Sequence, residues 1–196
     1  MRRSAWLSVC VFVAATALAQ DAGGFPTQVE GFRFGQRVRA LAAPCRAAGG
    51  AWAGSECTLG AGTPEARIVS FPNTCRRGVV CRIAIGYYES LPAGDNAAWL
   101  AKFTSVRREL EARFGSQAVY ASGERSCVAA VQNGDASCVF QGQGAGASFS
   151  IPAGDGRVIL GLGYNSMRHS PRYEVRWESA AAVTADANYV APRMPH

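Results

Sequence analysis

The stretch ARIVSFPNTCRRGVVCRIAIGYY, residues 66–88, decides the fold because residues 66–71 and 79–88 read as the two strands of a hairpin. If Cys75 lies opposite Cys81, Phe71 falls opposite Ile85, and side chains alternate between two faces along each strand. One face then carries Val69, Phe71, Cys75, Cys81, Ile83, Ile85 and Tyr87, and the other carries Arg67, Ser70, Thr74, Arg82 and Gly86. A shift of one residue mixes the two sets. The stretch therefore predicts an antiparallel sheet and a Cys75–Cys81 disulfide.

The other cysteines extend this framework. The 196-residue chain has seven cysteines, and an even set of six remains if an N-terminal signal containing Cys10 is removed. Cys127 and Cys138 flank the turn sequence QNGD at residues 132–135, which predicts a second bridged hairpin. Cys45 and Cys57 remain, joining a helix end to the next strand. Because zinc-ligand spacing and a Cys-x-x-Cys motif are absent, we predict three structural disulfides and no metal or cofactor site.

Residues 1–19 have the three-part layout of a secretory signal peptide. Arg2 and Arg3 precede an apolar run over residues 7–18, and a small-x-small site ends at Ala19. The run is shorter than the ~20 residues that span a bilayer, and no later run is long enough. We expect cleavage after Ala19 and an exported protein, periplasmic or secreted, without a transmembrane segment. The alternative is a lipoprotein anchor at Cys10, but Val9 stands where a small residue is expected.

The clearest single element is a long amphipathic helix over residues 95–114. Its apolar stripe consists of Trp99, Phe103, Val106, Leu110 and Phe114. Asp95 is a suitable N-cap, and Gly115 suits the residue after the helix. A shorter N-terminal helix is predicted over residues 35–48, interrupted by Pro44 and stopped by Gly49 and Gly50.

The remaining pattern consists of short strands separated by turns. We predict them at residues 32–34, 51–59, 118–121, 126–131, 136–141, 147–151, 157–164 and 172–178. The fold class is α+β, with an antiparallel meander packed on the long helix and the shorter one and stapled by three disulfides. Its organisation is a flexible leader at 20–30, one domain at 31–179 and a loose tail at 180–196. Two helix-plus-sheet halves, 31–90 and 95–179, are an alternative. In architecture alone, this layout resembles small exported modules such as the β-lactamase inhibitor proteins.

Motifs that would carry chemistry are scarce. Residues 142–146, GQGAG, lie between two predicted strands and read as a hairpin loop rather than a phosphate cradle. His169 reads as an exposed loop residue, since no Gly-x-Ser-x-Gly elbow accompanies it. Arg76 and Arg77, with Arg67 and Arg82, read as a solvated strand face. The acids near turns or caps are scattered: Glu56, Glu65, Glu89, Asp95 and Glu124.

Composition adds little about function. The chain is 48% hydrophobic and 17% charged, which excludes a disordered protein, and losing Arg2 and Arg3 lowers its net charge from +6 to +4. We predict an exported, non-enzymatic binding or inhibitor-like module for an unknown macromolecular partner, with no nucleic acid bound. The alternatives are an envelope hydrolase that uses a carboxylate pair, whose members can lie far apart in sequence, and a purely structural envelope protein.

Overall fold

The computed structural model describes residues 24–63, 66–87, 95–115, 120–123, 125–140, 146–165 and 170–187. The predicted signal peptide, Cys10, Glu65, Glu89, Glu124, His169 and most of the 142–146 loop lie outside these ranges. The strands are β1 Gln28–Val29, β2 Phe32–Arg33, β3 Ala51–Ala53, β4 Glu56–Leu59, β5 Arg67–Ser70, β6 Arg82–Tyr87, β7 Tyr120–Gly123, β8 Ala147–Ala153, β9 Gly156–Asn165 and β10 Ser170–Glu178. The helices are α1 Ala42–Ala47, α2 Asn96–Phe114, α3 Arg125–Gln132, α4 Ser137–Phe140 and α5 Ala180–Ala187.

The predicted α+β class and antiparallel sheet are confirmed. In the described part of the chain, β3 to β10 form one eight-stranded sheet in the order β3-β4-β5-β6-β10-β9-β8-β7, with every neighbouring pair antiparallel. The first half of the chain runs from the β3 edge of the sheet to its centre at β6, and the second half runs from the β7 edge to the centre at β10, so β6 pairs with β10. Tyr87 and Tyr173 stack across this seam with ring centroids 4.5 Å apart. One sheet thus runs through both halves.

Helices α1 to α4 all pack on one face of this sheet. In the β6–β10 pairing, Val175 lies opposite Ile85 and Trp177 opposite Ile83, so these four side chains share a face. Trp177 and Val175 belong to a buried cluster that includes residues of α2, α3 and α4, whereas Ile83 and Ile85 belong to a cluster that includes Cys45 of α1. The core is therefore two adjoining apolar clusters on one side of the sheet.

The long helix has the predicted caps and buried stripe. The Asp95 carboxylate accepts a hydrogen bond from the Ala98 backbone N–H at 2.9 Å, and Gly115 follows the helix with φ 89°. Trp99, Phe103 and Leu110 are buried against the sheet. Among the described residues, no helix has the length and apolarity needed to cross a bilayer.

All three predicted disulfides are present, but the hairpin register around Cys75–Cys81 differs from the prediction. Val69, rather than the predicted Phe71, lies opposite Ile85. The register is shifted by two residues because the backbone of Cys75 pairs with that of Val79 across a 3₁₀ turn, and the disulfide to Cys81 reaches past this pair. A shift of two residues leaves the faces unchanged, so the predicted apolar face is still the core face.

Two arginines of this hairpin differ from the prediction, one in its face and the other in its burial. Arg67 lies opposite Tyr87, on the same side as Val69, and pairs with Glu30 at 2.7 Å. Arg82 is on the predicted face but is buried rather than solvated. Arg76 and Arg77 are exposed in the 3₁₀ turn, so the four arginines do not form one solvated strand face.

The Cys127–Cys138 pair is confirmed, but the strands predicted around it are wrong. The two cysteines lie in helices α3 and α4. Buried Val131 lies four residues after buried Cys127 and three after buried Val128, which is a helical rather than an alternating pattern. The turn survives at Gly134, with φ 89°.

The ends of the domain are more ordered than predicted. In the leader predicted to be flexible, β1 pairs with β2, and the Phe25 ring packs 4.9 Å from Phe34 and 6.4 Å from Trp177. The tail predicted to be loose begins as helix α5, with Ala182 fully buried. The predicted 51–59 strand is divided into β3 and β4, and Gly54 in the turn between them has φ 61°.

Gly49 and Gly50, which the sequence identified only as a helix stop, have separate roles. Gly49 has φ 74°, the left-handed conformation that ends helices. Gly50 has no positive φ; instead, a Cβ placed there would lie 2.7 Å from the Cys57 sulfur and 2.9 Å from the Cys45 sulfur. The α1 end is thus packed directly on the disulfide.

We expect Gly50→Ala to lower the free energy of unfolding by about 2 kcal/mol, because the added methyl overpacks a site that a disulfide holds rigid. Urea unfolding measures the change. Gly163→Ala in β9 is the matched control, since a Cβ there meets nothing within 4 Å. Equal stability of the two variants would contradict the close packing at Gly50.

Candidate functional site

In the described chain, the face of the sheet opposite helices α1 to α4 has none of these four helices packed on it; we call it the open face. On β10, alternation places Arg172, Glu174, Arg176 and Glu178 on this face, since Tyr173, Val175 and Trp177 point to the core. The sequence alone predicts this division, since the four charged residues alternate with the three apolar ones along residues 172–178. The structure adds that β10 lies in the middle of the sheet, so the charged row runs along the centre of the open face.

Helix α5 closes one end of the open face through a cluster of ion pairs, which we call the α5 clasp. The buried Glu178 carboxylate meets Arg157 Nε at 2.5 Å and Arg82 Nε at 3.4 Å. Asp186 of α5 pairs with Arg82 and lies 2.6 Å from Arg157 Nη2. Arg82 also donates to the backbone oxygen of Ala182 at 3.3 Å. The clasp therefore fixes α5 over this end, and the described helices do not cover the rest of β10.

Beyond the clasp, the open face has a shallow, open depression of about 310 Å³, which we call the groove. Gly161 and Gly163 of β9 lie opposite Glu174 and Arg172, and Gly146 precedes β8. These three glycines form the floor of the groove. Its walls are β10, with its charged side chains, and β8, with Ser148. The groove exists because three positions that normally carry side chains carry none.

The two β9 glycines are not required by the backbone or by packing. A Cβ on Gly163 would meet nothing within 4 Å, and one on Gly161 would meet only the Ser148 Cβ at 3.9 Å. Neither residue has a positive φ. Glycine inside a strand weakens the strand, and it often marks the close approach of a ligand or another backbone. The predicted site residues did not include these two glycines, although their alternation with the buried leucines of β9 is visible in the sequence.

The groove carries an excess of positive charge. Arg172 has no carboxylate within the 4.0 Å ion-pair distance among the described residues. Arg176 Nε is buried without a hydrogen-bond partner there, although Glu174 Oε1 lies 3.7 Å away and Glu178 Oε1 3.9 Å away. Glu174 is the one carboxylate of the described lining. The groove thus combines two guanidinium groups with a single carboxylate.

The acids considered for catalysis are not brought together where they are described. Asp95 caps α2, and Glu56 is exposed on β4 opposite Ser70, so each has a separate position. No group of three or more His, Cys, Asp or Glu side chains that could hold a metal is found in the described ranges. The pKa of Asp135 lies below its ordinary value because the Ser137 backbone N–H, and then the Ser137 hydroxyl, hydrogen-bond to its carboxylate. That carboxylate lies at the start of α4, where it accepts a hydrogen bond from the backbone N–H of the first helical residue, Ser137.

No protein-family model, curated protein or solved structure matches this chain. Its function is therefore inferred from the open face and the groove themselves.

Proposed function

We propose that the protein is an exported, non-enzymatic binding module that holds a macromolecular partner on its open face. The observation that carries this proposal is the one-sided placement of α1 to α4, which leaves the centre of an eight-stranded sheet with an uncovered row of charged side chains. An antiparallel sheet with one packed face supplies a flat, ordered surface on the other face.

The covalent framework supports the same proposal. Three disulfides staple α1 to β4, the hairpin turn before β6, and α3 to α4. A scaffold that is rigid before binding loses less conformational entropy when it binds, so more of the contact energy appears as affinity. Disulfides also persist in oxidising compartments, in keeping with export through the predicted signal peptide at residues 1–19.

The groove favours binding over hydrolysis by a carboxylate pair. Glycoside hydrolysis of that type uses two carboxyl groups that flank the scissile bond. The described groove lining has only Glu174, and its neighbour Glu178 is buried and held by Arg82 and Arg157. The groove therefore offers charge for recognition rather than a second acid for catalysis.

The test is capture of a partner with a matched pair of tryptophan variants. Ile159 lies at the centre of the open face, opposite Arg176, and Ala112 is exposed on α2. We expect the tagged protein and Ala112→Trp to capture the same protein from envelope or culture fractions of the producing cells. We expect Ile159→Trp to lose at least tenfold of it, because the indole obstructs the open face.

Circular dichroism and urea unfolding show whether each variant keeps its fold. Equal capture by all three proteins would overturn the assignment to the open face. Failure of every fraction to yield a specific protein would overturn the binding function and favour a purely structural envelope component.

A further inference from the structure

The groove on the open face has a feature that general binding does not require. Its two β9 glycines cost strand stability, and nothing in the described backbone or packing needs them. What the missing side chains provide is open space: a shallow depression of about 310 Å³ lies between β8 and β10. A depression of this volume is large enough for a side chain and not for a whole secondary-structure element.

The charge of the groove indicates which side chain fits. Arg172 stands at the groove without a described carboxylate partner, and Arg176 has a buried Nε without a hydrogen bond. A guanidinium presents several N–H donors in a fixed plane that matches a carboxylate, and such charge-assisted hydrogen bonds are roughly twice as strong as neutral ones. Glu174 Oε1 lies 3.7 Å from Arg176 Nε on the same strand, so its carboxylate offsets the charge of only one of the two arginines.

We infer that the glycine-floored groove receives an aspartate or glutamate side chain from a protein partner, with Arg172 as its main ion-pair partner and Arg176 beside it. This inference rests on the proposed function, since it names the chemistry by which the open face recognises its partner. The carboxylate enters over Gly161 and Gly163, beside Arg172 on the neighbouring strand.

A pair of short peptides tests the groove directly and needs no partner protein. The probes are acetyl-Gly-Gly-Glu-Gly-Gly-amide and the same peptide with glutamine, titrated into the ¹⁵N-labelled protein at millimolar concentrations. We expect the glutamate peptide to shift the Gly161 and Gly163 amide signals and the Arg172 Nε–H signal. It should bind about tenfold more tightly than the glutamine peptide, since a hydrogen bond to a charged group contributes about 1.5 kcal/mol or more.

Four variants separate the contributions. Gly163→Val fills the groove, and we expect it to abolish the shifts while the protein stays at least as stable, because valine suits a strand better than glycine. Arg172→Gln should remove the preference for glutamate over glutamine. Glu174→Gln should strengthen glutamate binding, because it removes a competing carboxylate. Arg108→Gln, at an exposed position on α2, is the control and should bind normally.

The outcomes distinguish this inference from the proposed function. Equal shifts from both peptides, or unchanged binding by Gly163→Val, would overturn the acidic-side-chain assignment. If Ile159→Trp loses the captured partner while Gly163→Val and Arg172→Gln keep it, the open face binds its partner by other residues and only the groove assignment fails. Glutamate-specific shifts without any captured partner would preserve the groove as a carboxylate site and remove the protein partner.

Discussion

Glu178→Gln is expected to lower the free energy of unfolding by about 3 kcal/mol, because it removes the charge at the centre of the α5 clasp. The Glu178 side chain is 3% exposed and the Arg82 side chain 8% exposed, so neither charge can be solvated by water in place of its partner. Glutamine keeps the size of the side chain but leaves the buried Arg82 guanidinium with Asp186 as its remaining carboxylate. Arg82 and Arg157 then share the single Asp186 carboxylate, and a buried guanidinium that loses part of its charge compensation costs more than the loss of an exposed pair.

Urea unfolding of the oxidised protein measures this effect. Glu174→Gln is the matched control on the same strand and the same face, since its side chain is 31% exposed and lies 3.7 Å from Arg176. We expect the control to lose less than about 1 kcal/mol. If the two variants were equally stable, the α5 clasp would contribute no more than a surface ion pair.

Removal of the Cys45–Cys57 disulfide is expected to have an effect of similar size. Its two cysteines are 12 residues apart, and chain-entropy estimates for a loop of that length give about 3 kcal/mol. Both residues are fully buried in the cluster around Ile83 and Ile85, so the Cys45→Ala, Cys57→Ala double variant also loses packing there.

The control is the corresponding double variant at Cys75 and Cys81, whose separation is six residues. The shorter loop predicts a smaller loss, about 2 kcal/mol, and Cys75 is only partly buried. Urea unfolding under non-reducing conditions measures both variants. A larger loss at Cys75–Cys81 than at Cys45–Cys57 would contradict the order that loop length and burial predict.

Local patterning predicted the elements whose signals are long and repeated. The apolar stripe of α2 spans about four turns, and Asp95 and Gly115 mark the ends of the helix, so both its existence and its caps were readable. The alternation in β10 likewise predicted which side chains face the core. Cysteine spacing predicted the disulfide pairs because each pair is close in sequence.

The failures occurred where a local pattern fits two structures. Residues 126–131 form too short an apolar run to distinguish a strand from a helix, and a disulfide can close across either. In the first hairpin, the prediction placed Cys75 and Cys81 directly opposite each other. In the structure Cys75 lies opposite Val79, and its disulfide reaches diagonally to Cys81. The α5 helix was missed because its alanine-rich sequence has no strong amphipathic pattern, and Asp186 is tied to Arg82 and Arg157 far along the chain.

The sequence by itself determined the α+β class, the three disulfides, the long helix and the core-facing side chains of β6 and β10, because each depends on residues that are near one another in the chain. Only the tertiary structure decided that β6 pairs with β10, that helices α1 to α4 share one side of the sheet, and that Glu178 is enclosed by Arg82 and Arg157. The tertiary structure also decided that the glycines of β9 lie beside Arg172 and Arg176 of β10. The physical reason is that the groove depends on which strands are neighbours in the sheet, and the spacing of residues along the chain does not determine that.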